Sequence, residues 1–155
     1  MKVRKLVMAA AVAAMYAVLT VILAPFSFGV VQVRISEALT VLPAVSPVAI
    51  WGIFVGCLIA NIYTGSIIDI IFGSLTTLAA GILTYKLRKS KWLVPLPPVL
   101  LNAVIVGGYL SLVSDTPWYI NMLTVGAGQL ISCYVLGLPF LMLVKKNKYI
   151  NEYLK

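Results

Sequence analysis

The sequence predicts an all-α membrane protein: a bundle of six transmembrane helices with a short second helix and both termini in the cytoplasm. Of its 155 residues, 62% are apolar and only 10% are charged, whereas a soluble domain carries about 25% charged residues. The charges leave long gaps, such as the 28 uncharged residues between Lys5 and Arg34. A membrane-spanning helix needs about 20 such residues. We therefore expect residues 1–155 to form one integral membrane domain.

Prolines divide the apolar part of the chain into separate helices. The first apolar run ends at Pro25 and is long for the core of a cleaved signal peptide, so we expect it to be a retained helix. The next run contains Pro43 and Pro47, which break a helix and split the run into a short and a full span. The predicted spans are 6–24, 36–44, 47–63, 67–87, 93–113 and 118–144.

The basic residues support this division. They cluster within residues 2–5, 86–91 and 145–148, and Lys and Arg are enriched in cytoplasmic loops. Four crossings before the middle cluster and six before the last place all three clusters in the cytoplasm. One unsplit second helix would place the middle cluster outside. The net charge of +8 therefore indicates membrane topology and not nucleic-acid binding.

The composition disfavours an enzyme. The chain has no histidine and only four acidic residues, so imidazole metal sites, histidine-activated nucleophiles and paired aspartate motifs are missing. We expect no catalytic residue, no metal and no cofactor. Cys57 and Cys133 lie within apolar runs and are predicted to be small apolar side chains, not a disulfide.

Polar side chains gather near the outer ends of the predicted helices, where ionisable groups in a membrane bundle often mark a site. Carboxylates, amides and aromatic rings together suit a planar ligand that forms hydrogen bonds. Within this group, the Glu37 carboxylate can accept two adjacent donors of such a ligand. The candidate ligand-binding residues are Gln32, Arg34, Glu37, Asn61, Asp69, Tyr109, Trp118 and Asn121.

Several of these residues have a structural alternative. Ser36 is a plausible N-cap of the second helix, with Arg34 paired to Glu37 at the positive helix end. Trp118 suits the membrane interface equally well. The buried amides expected to form hydrogen bonds between helices are Asn102 and Gln129.

Small residues recur every fourth position in several predicted helices, a spacing that lets helix backbones approach closely in lipid. For the series Gly52, Gly56 and Ala60 we expect packing within the chain. In the first helix two adjacent faces carry alanine, which suggests a flat surface for another membrane protein, with internal packing as the alternative. The alanines of this surface are Ala9, Ala10, Ala13 and Ala14.

Four strings in the sequence resemble the QueT family. They are Leu-Ala-Pro at 23–25, Gln-Val-Arg-Ile-Ser-Glu-Ala-Leu-Thr-Val-Leu-Pro at 32–43, Asp-Ile-Ile-Phe-Gly-Ser-Leu at 69–75 and Leu-Pro-Pro-Val-Leu-Leu-Asn at 96–102. The resemblance extends over residues 6–146, and residues 34–43 are its most specific part. One departure is Val30, where a proline is expected after Gly29.

The resemblance implies a substrate-binding subunit (S-component) of an energy-coupling factor (ECF) importer for queuosine precursors. Such a subunit lies in the plasma membrane, surrounded by lipid, and captures a 7-deazaguanine from outside. It works with a transmembrane coupling subunit, which docks on the alanine face, and with two cytoplasmic ATPases. The alternatives are an S-component for another vitamin-like heterocycle and a self-sufficient proton-coupled carrier that uses Asp69 or Glu37.

Overall fold

In the computed structural model, the described residues, 2–27 and 33–147, form a bundle of helices joined by turns. The all-helical prediction is confirmed for this part of the chain. Three helices are single segments: α1 is Lys2–Ile22, followed by a single turn Ala24–Ser27, α2 is Ile35–Ala44 and α3 is Val48–Thr64. The other three consist of consecutive segments: α4 is Asp69–Gly73 and Ser74–Lys86, and α5 is Leu96–Leu101, Asn102–Val106 and Gly107–Leu110. The last, α6, is Trp118–Leu130, Ile131–Gly137 and Leu138–Lys146.

Two helices differ from their predicted bounds by three residues or more. α1 already begins at Lys2, since charged residues continue a helix beyond its apolar span. α5 begins at Leu96 and not at residue 93, because Pro95 occupies the position before the first turn, where its missing N–H is harmless. The same helix ends at Leu110, and hydrogen-bonded turns continue the chain as far as Ser114.

α1 and α3 pack closely and run in the same direction. A Cβ atom on Gly52 would lie 2.9 Å from the Ala9 carbonyl oxygen, and one on Gly56 would lie 2.7 Å from the Ala13 carbonyl oxygen. The later glycine meets the later alanine, so the two helices are parallel. The packing within the chain that was expected for this glycine series is confirmed.

α2 is a 3₁₀-helix and not the α-helix that the sequence predicted. Its ten residues rise about 20 Å at 2.0 Å per residue, which is longer than the α-helical estimate of about 15 Å. Runs of 3₁₀-helix beyond four residues are uncommon because their hydrogen bonds have poorer geometry. Burial holds this one, since eight of its ten side chains are buried.

The period of three residues gives α2 separate rows of side chains. Leu39 and Leu42 form one row, which packs into a core cluster with residues of α1 and α3, including Tyr16 and Ile53. Val41 and Ala44 form a second row, which packs into a cluster with residues of α6, including Leu141. α2 therefore occupies the centre of the bundle and touches different neighbours on different sides.

The two ends of the bundle differ in charge. The Thr84 hydroxyl donates to the Val94 carbonyl oxygen at 3.2 Å and joins the end of α4 to the start of α5. Val144, near the end of α6, shares a core cluster with Ala49 at the start of α3. The ends of α4 and α6 thus lie beside the starts of α3 and α5, and we call this the basic end because it carries the basic residues of 86–91 and 145–146. The opposite polar end carries Asp69 and the turn between α5 and α6.

Large apolar side chains cover much of the surface of the bundle. Leu6 and Leu123, for example, are each 71% exposed, and soluble monomers rarely show extended apolar patches. Within residues 2–27 and 33–147, two helices are long and apolar enough to cross a membrane, Val3–Ile22 and Trp118–Lys146. These features are consistent with a helical bundle in a membrane.

The close approach of α1 and α3 predicts a stability difference between two glycines. Gly56→Ala places a methyl group against the backbone of α1, so we expect the free energy of unfolding to fall by about 1–3 kcal/mol. Gly108→Ala is the matched control, because a Cβ there meets nothing within 4 Å. Thermal unfolding in detergent checks this, and equal melting temperatures for the two variants would contradict the packing.

Candidate ligand site at the polar end

The Glu37 carboxylate is the most deeply buried charged group in the described chain, with only 1% of the residue exposed. It lies in the first turn of α2, where the positive helix end favours a negative charge. Tyr16 of α1 donates its hydroxyl to Glu37 Oε1 at 2.5 Å. Within residues 2–27 and 33–147, Glu37 Oε2 has no hydrogen-bond partner. One oxygen of this buried carboxylate is therefore bound by the protein, and the other is buried and unsatisfied in the described chain.

Arg34 balances the charge of this carboxylate. Its side chain is buried, and its positive charge lies near the Glu37 carboxylate. Its Nε also donates to the carbonyl oxygen of Ser27 at 3.2 Å, which ties the start of α2 to the turn after α1. Arg34 therefore joins the start of α2 to the turn after α1 and also lies near the Glu37 carboxylate.

The start of α2 is also held by hydroxyl groups, but not by the N-cap that the sequence suggested. The N-cap position is Arg34, and its side chain forms no capping bond. Ser36 lies inside the first turn, and its Oγ is 2.6 Å from Thr20 Oγ1 of α1. Thr20 Oγ1 is also 2.8 Å from the Tyr16 carbonyl oxygen. Ser36 therefore connects α2 to α1 and does not cap its own helix.

A second polar group joins α3, α4 and α5. Tyr109 of α5 donates its hydroxyl to Asp69 Oδ1 at the start of α4. Asn61 of α3 donates to the Asp69 carbonyl oxygen at 2.8 Å and to Ser74 Oγ at 3.2 Å. These bonds fix the orientation of the Asn61 amide, and its Oδ1 has no partner in the described chain. Asn61 is therefore a second buried acceptor.

Gly73 gives this second group its space. A Cβ atom there would lie 3.1 Å from Asn61 Nδ2 and 3.3 Å from the Tyr109 hydroxyl, so a side chain would crowd both. Cys57 lies next to the same amide, with its Sγ 3.4 Å from Asn61 Nδ2 and 3.3 Å from Thr77 Oγ1. The thiol is buried and free, as the sequence predicted for both cysteines.

Three helices are widened by π-helical turns beside these groups, whereas the sequence predicted regular helices. The widened turns are Asp69–Gly73, Asn102–Val106 and Ile131–Gly137. The first two contact each other, and the third contacts α2. π-turns are rare and are often found at functional sites.

The other predicted site residues lie apart from this group or outside the described residues. Trp118 is 60% exposed at the start of α6, stacked edge-on against Tyr119, a position that also suits a membrane interface. Asn121 donates to Ser114 Oγ and to the Thr116 carbonyl oxygen, which holds the turn between α5 and α6. Gln32 lies outside the described residues.

The four alanines of α1 divide between two faces. Ala9 and Ala13 face α3 and pack against Gly52 and Gly56. Ala10 and Ala14 are exposed. Of the four predicted alanines, Ala10 and Ala14 are therefore the ones exposed for contact with another protein.

Sequence reasoning missed Tyr16, because a tyrosine in an apolar helix is usually an ordinary core residue. The available signal was that Tyr16 and Thr20 are the polar side chains of the first apolar run and lie one turn apart. The predicted hydrogen bonds between helices are wrong for both buried amides. Asn102 Nδ2 has no hydrogen-bond partner within the described chain, and Gln129 bonds within its own helix. The Gln129 Oε1 accepts from the Cys133 thiol at 3.6 Å, and its side chain forms no hydrogen bond to another helix among residues 2–27 and 33–147.

The site offers hydrogen-bond acceptors, a cation and an aromatic ring, and these groups suit the binding of a polar, planar ligand. No cluster of three or more His, Cys, Asp or Glu side chains able to hold a metal occurs in residues 2–27 and 33–147. Tyr109 supplies the aromatic surface, with Phe72 tilted against it at a centroid distance of 6.4 Å. A buried carboxylate with an available oxygen suits a ligand that brings its own donors.

Comparison with known proteins gives one match. The model of the QueT transporter family matches residues 6–146, nearly the whole chain. No curated protein and no solved structure gives a significant match. The match agrees with the apolar helices of the described chain. This chain belongs to the QueT transporter family, which is a family of transporters and not of enzymes.

Proposed function

We propose that the chain is the substrate-binding S-component of an ATP-driven ECF importer and captures a queuosine precursor or a related 7-deazaguanine. The observation that carries this proposal is the buried Glu37 carboxylate with one oxygen unpartnered in the described chain. A transporter that only captures its ligand needs such a site but needs no ATPase of its own.

The orientation in the membrane follows from the charges. The basic end faces the cytoplasm under the positive-inside rule, and the polar end with Glu37 and Asp69 faces outward. α1 and α3 are parallel, as they must be when α2 returns the chain to the basic end between them. Six crossings then leave both termini in the cytoplasm of a multi-pass protein in the plasma membrane.

Apolar packing separates the site from the basic end. Leu42, Ala49 and Val144 belong to one core cluster, and Val41 and Leu141 belong to another. Both clusters lie between the polar groups and the basic residues. Such packing favours a closed binding site over a carrier that passes its substrate through its own centre.

The ligand chemistry follows from the acceptors. A guanine-type edge presents a ring N–H and an exocyclic amine side by side, and both are donors. Glu37 accepts from this edge, and Arg34 stands close enough to contact the carbonyl oxygen of the base. Asp69 is the partner for a positively charged amine on the substituent, and Tyr109 offers a stacking surface.

The function itself is tested with the purified chain and its reconstituted vesicles. We expect saturable binding of 7-deazaguanines in preference to guanine, riboflavin and thiamine, and no accumulation in vesicles that hold this chain alone. Accumulation driven by a pH gradient would favour the proton-coupled carrier. Tighter binding of riboflavin or thiamine would favour an S-component for another heterocycle.

Glu37→Gln should weaken ligand binding by about 2–4 kcal/mol, because a buried donor of the ligand loses its charged partner. The new amide keeps an oxygen for the Tyr16 hydroxyl and places an NH₂ group where Oε2 was. Asp115→Asn is the matched control, since Asp115 is exposed at the same end of the bundle. Calorimetric titration gives both affinities, and a Glu37→Gln affinity within about threefold of the parent would contradict the role.

Asp69→Asn should discriminate between ligands. The new side chain still accepts from Tyr109, so we expect the fold to be retained, but the charge that pairs with an amine is lost. Binding of 7-aminomethyl-7-deazaguanine should weaken about tenfold or more. Binding of 7-deazaguanine, which lacks the aminomethyl group, should change far less. Competition binding measures the ratio, and an equal loss for both ligands would exclude this pairing.

Ala10→Trp with Ala14→Trp should abolish ATP-driven uptake by the assembled transporter and leave ligand affinity nearly unchanged. Both alanines are exposed on α1 and face away from α3, so the bulky rings block close approach of the coupling subunit only. Ala79→Trp, at an exposed position of α4, is the control. Loss of binding together with uptake would instead place this face in the internal packing.

A further inference from the structure

The Tyr16 hydroxyl binds one oxygen of the Glu37 carboxylate and leaves the other for the ligand. Its hydroxyl is 2.5 Å from Oε1, and Oε2 has no partner among residues 2–27 and 33–147. Both side chains are essentially fully buried. The two oxygens of one carboxylate are therefore inequivalent before any ligand arrives.

The donor itself is held in place. Tyr16 has no exposed surface, and α1 packs so closely on α3 at this residue that a Cβ added to Gly56 would lie 2.7 Å from the Tyr16 Cβ. The Tyr16 carbonyl oxygen lies 2.8 Å from Thr20 Oγ1, which in turn contacts Ser36 of α2. The hydroxyl therefore approaches the carboxylate from a fixed direction.

A buried carboxylate oxygen without a partner is costly, and a ligand donor relieves that cost. A carboxylate free to rotate would offer either oxygen and would adapt to ligands with one donor or two. With Oε1 bound to Tyr16, only Oε2 is left with its full acceptor capacity, and its direction is set. A ligand whose donor does not reach this position leaves Oε2 unsatisfied.

We infer that Tyr16 is a specificity-determining positioning residue: by holding Oε1 of Glu37 it aims Oε2 at the exocyclic amine of the ligand. This inference rests on the proposed function and adds a residue to it that touches Glu37 and not the base. The selective step is the bond from the amine to Oε2. Ligands without that amine are rejected because the aimed oxygen cannot turn to another partner.

The readout is the ratio of two affinities, which overall destabilisation alone does not move. The probes are 7-aminomethyl-7-deazaguanine and 7-aminomethyl-7-deazahypoxanthine. The second probe keeps the aminomethyl group and lacks only the exocyclic amine at ring position 2. The parent protein should prefer the first probe by about ten- to one-hundred-fold. Tyr16→Phe frees the carboxylate, and we expect the preference to fall at least about fivefold. An unchanged preference in this variant overturns the inference.

Tyr134→Phe is the matched control, because Tyr134 also donates its hydroxyl, to the Trp92 carbonyl oxygen at 3.0 Å, but near the basic end. It should leave the preference as in the parent. An equal fall in both variants would show a general loosening and would overturn the inference.

Glu37→Gln provides a second measurement that does not depend on how Tyr16→Phe folds. Tyr16 donates to the amide oxygen and leaves the NH₂ group facing the amine of the ligand, so the preference should fall below one. A preference still in favour of the amine would show that the side chain turns freely, against the inference. Failure of the parent to bind either probe would instead remove the proposed function.

Discussion

The burial of one carboxylate constrains the polar end of this bundle. Removing an ionised carboxylate from water costs several kcal/mol unless neighbours supply charge and donors. Glu37 meets this requirement with the Tyr16 hydroxyl, the nearby Arg34 and the start of its own helix. The first two depend on tertiary packing, since Tyr16 belongs to α1 and Arg34 is tied to Ser27 in the turn that follows α1. The polar site and the packing of α1 on α2 are therefore one structural unit.

The 3₁₀ geometry of α2 lets the same helix carry Glu37 and pack against several neighbouring helices. With three residues per turn, Leu39 and Leu42 align toward α1 and α3 while Val41 and Ala44 align toward α6. The helix is therefore anchored by apolar rows in its later turns and presents its carboxylate in the first turn. α1 has a related division, with Tyr16 toward the site and Ala10 and Ala14 on the exposed surface. One helix thus contacts the carboxylate proposed to bind the ligand and carries the surface proposed for the coupling subunit.

The sequence predicted the polar residues of the site, because polar side chains are costly among apolar ones. Arg34, Glu37, Asn61 and Asp69 stand out for that reason, and the structure places them in two neighbouring groups. Helix type was beyond prediction, because α, 3₁₀ and π turns differ only in which carbonyl accepts each N–H, and tertiary packing decides between them. Tyr16 was missed because a tyrosine in an alanine-rich helix is an ordinary core residue until its partner is known. Trp118, which follows the polar turn between α5 and α6, is exposed, and an aromatic residue there suits a membrane interface as well as a ligand.

The most direct test of the central claim is the structure of this protein with 7-aminomethyl-7-deazaguanine bound. The account predicts one ligand at the polar end, with its exocyclic amine within about 2.7–3.2 Å of Glu37 Oε2. Tyr16 should still donate to Oε1, and the aminomethyl group should point toward Asp69. A ligand bound elsewhere, with Glu37 Oε2 unpartnered or with Tyr16 displaced from the carboxylate, would contradict the account.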